Sequence, residues 1–222
     1  MPVMIRFLPL FVGIVPVIGV AASFWLNVRA EVLDGCMPLL EGCVSISATG
    51  RYMPGSMPFR AVLLPQAALL VVLWWVGVEW LKQVAPSSCA GRTVLSSGVV
   101  GAVALVAYVT FLGTRQPFYE FMRHFGIYFY FFGTAIAQIA LTVAMPHSRL
   151  RSMMFWVIVA PFVLGLINWA QKLLLGNSAI LENTVEWNSA LLMQVWFVLL
   201  YFAWRKTGIV ISVKTGPPSV RR

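Results

Sequence analysis

Six apolar stretches, each close to twenty residues long, alternate with shorter polar segments along the chain. They run Phe7 to Val28, Ala61 to Leu81, Val94 to Gly113, Phe125 to Met145, Met153 to Leu175 and Val185 to Trp204. A helix needs ~20 apolar residues to cross a hydrocarbon core of ~30 Å. A helix also meets its own backbone hydrogen-bonding needs in lipid. The pattern therefore predicts an all-α polytopic membrane protein, a bundle of six transmembrane helices. The polar remainder is uneven. Arg29 to Arg60 is the longest insertion, and Gly35, Gly42, Gly50, Pro54, Gly55 and Pro58 within it favour tight turns. Thr114 to His124 reads as a short aromatic loop, with Phe118, Tyr119 and Phe121 placed for the membrane interface. Gly176 to Thr184 is short and mildly acidic. Residues 207–222 mix Gly, Pro, Ser and basic residues without periodicity, which predicts a disordered or membrane-surface tail after a single membrane domain over 1–206.

Charge adds a direction. If the N-terminus is cytoplasmic, the inner segments carry Arg6, Lys82, Arg92, Arg149, Arg151, Arg205, Lys206, Lys214, Arg221 and Arg222 against Glu79. The outer segments carry Arg29, Arg51, Arg60, Arg115, Arg123 and Lys172, balanced by Glu31, Asp34, Glu41, Glu120, Glu182 and Glu186. That bias predicts both termini in the cytoplasm. With 60% hydrophobic and 10% charged residues, the 222-residue chain has little left for a soluble domain. The net charge of +9 would suggest nucleic acid in a soluble protein. Here the excess sits on one membrane face, where anionic headgroups attract it, so membrane lipids and not nucleic acid are the expected partners.

Arg6 ahead of an apolar run, with Val20-Ala21-Ala22 after it, resembles a secretory signal cleaved after Ala22. The run exceeds the ~7 to 15 residues of a signal core, so it reads as a retained span. Cys36 and Cys43 share the long outer loop, and in an oxidising compartment they would close a small loop as a disulfide, two free thiols being the alternative. Cys89 falls on the inner side. A metal is not expected at the pair, because no His lies nearby and the spacing is not that of a zinc knuckle.

Polar groups at membrane depth are costly, so their grouping is informative. Gln66, His124, Asn168, Gln171, Lys172, Glu186, Asn188 and Gln194 fall in the outer half or near the midplane, whereas Gln138 and Glu79 belong to the inner half. Gln194 follows Glu186 by eight residues, ~12 Å of helix. The simplest picture is a polar cavity open toward the outer leaflet and roofed by the first outer loop. Glu182 and Glu186 share a helical face, with Lys172 and Arg123 as the nearest countercharges. Asn183 followed by Glu186 also resembles a capping box, so Glu186 reads equally as a cap and as a functional carboxylate. His124 suits either hydrogen bonding at the headgroup boundary or general-base catalysis beside Glu186 or Glu120. His147 lies ~35 Å along the helix from His124, which excludes a bis-His haem within one monomer. The chain has no Cys-x-x-Cys, no Gly-rich phosphate loop and no Gly-x-Ser-x-Gly, so no cofactor is expected. No repeat links the first three spans to the last three, which argues against a secondary transporter.

Within the long loop, Ser45-Ile46-Ser47-Ala48-Thr49-Gly50, then Pro54-Gly55-Ser56 and Phe59-Arg60 ahead of a span, resembles the Frag/DRAM/Sfk family of six-span membrane proteins. Glu186-Trp187 opening the last span is similar to that family's Glu-Trp signature, and His124 near Gly126 to its His-and-Gly approach to the fourth span. The sequence departs from many members at Val44, Ala48 and Gly55, where Pro, Asp and Glu would stand. It is closer to the Frag branch, which includes a factor in lipid remodelling of GPI-anchored proteins. The resemblance implies lipid-associated function; together with the one-sided distribution of polar residues it predicts a lipid headgroup or lipid-anchored substrate held by Ser47, Thr49 and Arg51 of the loop and by His124, Asn168, Lys172, Glu182 and Glu186 of the spans. Acyl or lipid transfer using His124, Glu186 or Glu120 is the enzymatic form of that expectation. A regulator binding anionic lipid or a membrane-protein partner through its basic inner face is the alternative.

Overall fold

The computed structural model describes residues 5–114 and 116–209. Among these, every regular element is a helix: α1 (Leu8–Arg29), α2 (Pro38–Glu41), α3 (Ile46–Thr49), α4 (Ser56–Val84), α5 (Ala90–Phe111), α6 (Pro117–Ala144), α7 (Arg149–Leu175) and α8 (Ala179–Thr207). Six of them are long and apolar enough to cross a membrane. The protein is a multi-pass integral membrane protein, and α2 and α3 lie in the long loop after the first span. An even number of crossings puts Ile5 and Ile209 on one face, the terminal face, and the long loop on the opposite loop face. Residues 210–222, the bulk of the tail expected from sequence, lie outside the described residues.

α4, α6, α7 and α8 are longer than the apolar stretches that mark them. At ~1.5 Å per residue, the 29 residues of α4 and of α8 reach ~44 Å, well beyond a hydrocarbon core of ~30 Å. α4 begins at Ser56 and α8 at Ala179, so both extend as posts on the loop face. α6 already begins at Pro117, whose fixed φ suits a first helical turn. The expected aromatic loop over Thr114 to His124 is therefore mostly helix, and Glu120, Arg123 and His124 sit on it.

The long helices form a ring in the order α1, α4, α5, α6, α7, α8 and back to α1. The most extensive contact joins α5 to α6. A Cβ built on Gly133 would lie 2.7 Å from the Ser97 carbonyl oxygen, and one on Gly126 would lie 2.8 Å from the Tyr108 nitrogen. Only glycine lets these backbones touch. The contact between α6 and α7 is the sparsest of the ring. Of α7's apolar stretch 11% is buried within the protein, against 33% to 44% for the other five spans, so lipid must cover most of that helix.

The two halves of the ring are filled differently. Toward the terminal face, Trp74, Trp80, Trp196 and Trp204 are fully buried and pack in pairs, Trp74 against Trp196 at 6.0 Å and Trp80 against Trp204 at 6.3 Å. Their rings supply large area for dispersion, and Trp80 and Trp196 place their indole N–H on Thr207 and Thr142 at 2.8 and 3.0 Å. Side-chain amides tie helices to one another in the same way. Pro16 has no N–H, so it leaves the Val12 carbonyl without its usual helical partner. Gln66 of α4 donates to that carbonyl at 2.7 Å. Gln138 donates to the Met193 carbonyl at 3.1 Å. Two of the costly intramembrane polar residues are thus helix fasteners.

Candidate functional site

The loop-face half is roofed instead of filled. Cys36 and Cys43 are joined in a disulfide, with Cα atoms 6.6 Å apart, closing the turn that carries α2. The loop is then fixed to α8 by three side-chain donors. Asn183 bonds the Gly42 carbonyl at 2.8 Å, Trp187 the Val44 carbonyl at 2.7 Å and Asn188 the Leu39 carbonyl at 2.9 Å. On the other side, fully buried Asn27 of α1 donates to the Thr49 carbonyl at 2.9 Å and accepts from the Gly55 N–H at 2.9 Å. Arg60 reaches across to the Leu112 carbonyl at 2.6 Å. These bonds meet loop carbonyls that would otherwise sit near lipid without partners. The roof is an ordered part of the fold.

Beneath it lies a chamber of about 200 Å³. Leu39 and Ile46 close its top, α1 contributes Pro16 and Val20, and α8 runs down its side from Glu186 to Gln194. The lining is overwhelmingly apolar. The exceptions are Glu186 under the roof and, on the walls, Tyr108, Tyr130 and Gln194. The backbone N–H groups of Ile46 and Ser47 face the Glu186 carboxyl, and the Tyr130 hydroxyl faces the Gln194 side chain. Tyr108 Oη and Gln194 Oε1 are buried, with no hydrogen-bond partner among the described residues. The expected polar cavity is therefore an apolar one with a few polar groups set into it. Gln66, Gln138, Asn188 and Lys172, counted from sequence among the polar groups at depth, are committed to helix and loop fastening.

A second cavity of about 440 Å³ lies beside the first, in the gap between α6 and α7. Phe132, Ala135 and Gln138 face Val157, Pro161 and Gly165 across it. Phe131 and Met193 line both cavities and form the wall between them.

The structure brings together only part of the residue set expected from sequence. Glu186 lines the chamber. It is not a cap: Ser178 is the N-cap of α8, accepting from the Leu181 N–H at 3.3 Å, so Glu186 stands two turns inside the helix. Ser47 contributes its backbone N–H under Glu186, while its hydroxyl lies 3.1 Å from that of Ser45. Thr49 is fully buried and bonds the Ile46 carbonyl at 2.7 Å, a role internal to the loop. Arg51 is exposed. Glu182 pairs with Lys172 at 3.1 Å, joining the loop-face ends of α7 and α8. Asn168 is on α7, outside the chamber lining. Glu120 pairs with Arg123 at 3.2 Å on the surface of α6. His124 is exposed on the same helix and does not line the chamber, so the structure does not assemble it with Glu186. Reading by polarity missed Tyr108 and Tyr130, because a Tyr in an apolar run looks like packing. Their signal was the small-residue face of α5 and α6, which brings both helices close to the chamber.

No group of His, Cys, Asp and Glu among the described residues is arranged to hold a metal ion. Comparison of the chain with protein-family models, with curated proteins and with solved structures gives no match.

Proposed function

We propose that the protein is a lipid-handling membrane protein that holds part of a lipid, or of a lipid-anchored substrate, in the roofed chamber. The observation that carries this reading is the chamber itself. It is an apolar space bordered by a carboxyl group and by two buried polar atoms without partners, in a protein surrounded by lipid. An engineered apolar cavity of ~150 Å³ holds a benzene ring, so about 200 Å³ suits a stretch of one acyl chain and not a whole diacyl lipid. Glu186 accepts hydrogen bonds, Tyr108 donates and accepts, and Gln194 offers an amide oxygen. Together they match a head or linkage bearing hydroxyl or amide groups. The resemblance to the Frag/DRAM/Sfk family, whose Frag branch includes a factor in lipid remodelling, points the same way, with the loop-face leaflet as the side of action. With no His, Lys or Arg among the lining residues, the chamber supports binding and presentation of a lipid more directly than acyl transfer.

Native mass spectrometry with lipid identification, on wild type and Glu186→Gln extracted gently from the host membrane, tests this reading. A co-purifying lipid retained by wild type and depleted about tenfold in the variant, ~1.4 kcal/mol of affinity, is the expected result. The same lipid at the same occupancy in both proteins would remove Glu186 from the site. No retained lipid would shift function to the basic residues of the terminal face.

A further inference from the structure

The chamber has the roof above it and the tryptophan-filled half below, so its flank is where a ligand from the bilayer would come in. Three observations place it on the flank. The α6–α7 contact is the sparsest of the ring, and α7 is the helix least held by the protein. The cavity of about 440 Å³ occupies that gap. It is separated from the chamber by Phe131 and Met193, both unbranched at Cβ and so without the χ1 restriction of a β-branched side chain. The gap also has spare room: a Cβ added to Gly165 meets nothing within 4 Å, the reverse of Gly126 and Gly133 on the other side of α6.

Chemistry narrows the occupant. Among the described residues, neither cavity is lined by Lys, Arg or His, and the one charged side chain on either wall is the Glu186 carboxyl. A phosphate brought into this space would face that carboxyl, while the cations that act on Tyr108, Arg51 and Arg123, stand outside the lining. A hydroxyl or amide would instead meet Tyr108 Oη and Gln194 Oε1, the two atoms of the chamber lining that are buried without a partner. Building on the lipid-handling reading above, we infer that the α6–α7 gap is a lateral entrance from the bilayer. Through it one acyl chain of an uncharged, hydroxyl-bearing lipid slides past Phe131 and Met193 into the chamber. The head then comes to rest against Tyr108, Gln194 and Glu186 without leaving the membrane.

The probe is a monoacylglycerol carrying a diazirine in its chain, added to the full-length protein in phosphatidylcholine nanodiscs and crosslinked by light after increasing intervals. Labelled peptides are mapped by mass spectrometry. In wild type, label is expected on the chamber segments 127–131 and 186–194. Gly165→Trp, which fills the gap from an unobstructed position, is expected to slow chamber labelling about tenfold while leaving its final extent unchanged, as for a narrowed gate. Phe131→Ala is expected to speed it severalfold, giving a second variant that works in the opposite direction. Chamber labelling at one rate in all three proteins would overturn the lateral entrance and leave lipid binding standing. No chamber labelling in wild type would overturn the lipid-handling reading itself. Equal labelling by a diazirine phosphatidic acid would overturn the preference for an uncharged head.

Discussion

The two flanks of α6 are packed in opposite ways, with the most extensive helix contact of the ring on one and the sparsest on the other. On one flank Gly126 and Gly133 lie against the backbone of α5 so closely that no Cβ fits. On the other, α6 and α7 leave a gap large enough to hold part of a lipid, and Gly165 faces empty space. Helix association in lipid has no hydrophobic drive of its own, so packing decides which contacts are permanent. The α5 side of α6 is built to stay shut. The α7 side is where the ring can part without breaking the rest of the bundle.

Substitutions that test this contrast should fall in a clear order. Gly133→Val forces a side chain into the Ser97 and Gly101 backbones and is expected to cost about 3 kcal/mol or more, as overpacking at an unyielding contact does. A large fall in thermal midpoint in detergent, or failure to recover folded protein, would show it. Asn27→Ala removes both buried bonds that hold the loop to α1 and should cost about 2 kcal/mol, read as faster backbone hydrogen exchange at Thr49 to Ser56. Trp187→Phe keeps the ring but loses the bond to the Val44 carbonyl. About 1 kcal/mol is expected, confined to exchange in the loop between the two cysteines and α3. Gly165→Ala should change stability by no more than ~0.5 kcal/mol. If its midpoint fell as far as that of Gly133→Val, the two flanks would not differ in the way described.

The spans were legible in the sequence because the membrane makes hydrophobicity a direct signal, and each of the six apolar stretches lies inside a long helix or overruns one end of it by at most two residues. The ends were less legible for the same reason. Apolar runs mark the hydrocarbon, whereas α4, α6 and α8 carry on into the headgroup region, where Ser56, Glu120 and Glu182 are as acceptable as leucine. The disulfide was legible as the simplest pairing of two cysteines in one loop. The cavity was half legible. Depth along a helix follows from residue number, so Glu186 and Gln194 could be placed on one side of the membrane. The direction each side chain faces depends on neighbouring helices, and so Gln66, Asn188 and Lys172 turned out to be fasteners. His124 shows the limit most clearly, since its depth suits the site and its helix face points elsewhere.

The bonds that hold the roof have a consequence for how the protein is made. Asn183, Trp187 and Asn188 meet loop carbonyls 141, 143 and 149 residues earlier in the chain. Synthesis runs from the N-terminus, and early segments fold while later ones are still absent. The loop therefore leaves the ribosome long before its partners, and it waits on the membrane surface until the last helix has inserted. One wall of the chamber arrives with that helix as well. A nascent chain stopped after α7 would have five spans and a disulfide, yet neither a roof fastened on both sides nor a complete chamber. The chamber thus exists only when the last span is in place, which makes the arrival of α8 the step that separates an inserted chain from a finished fold.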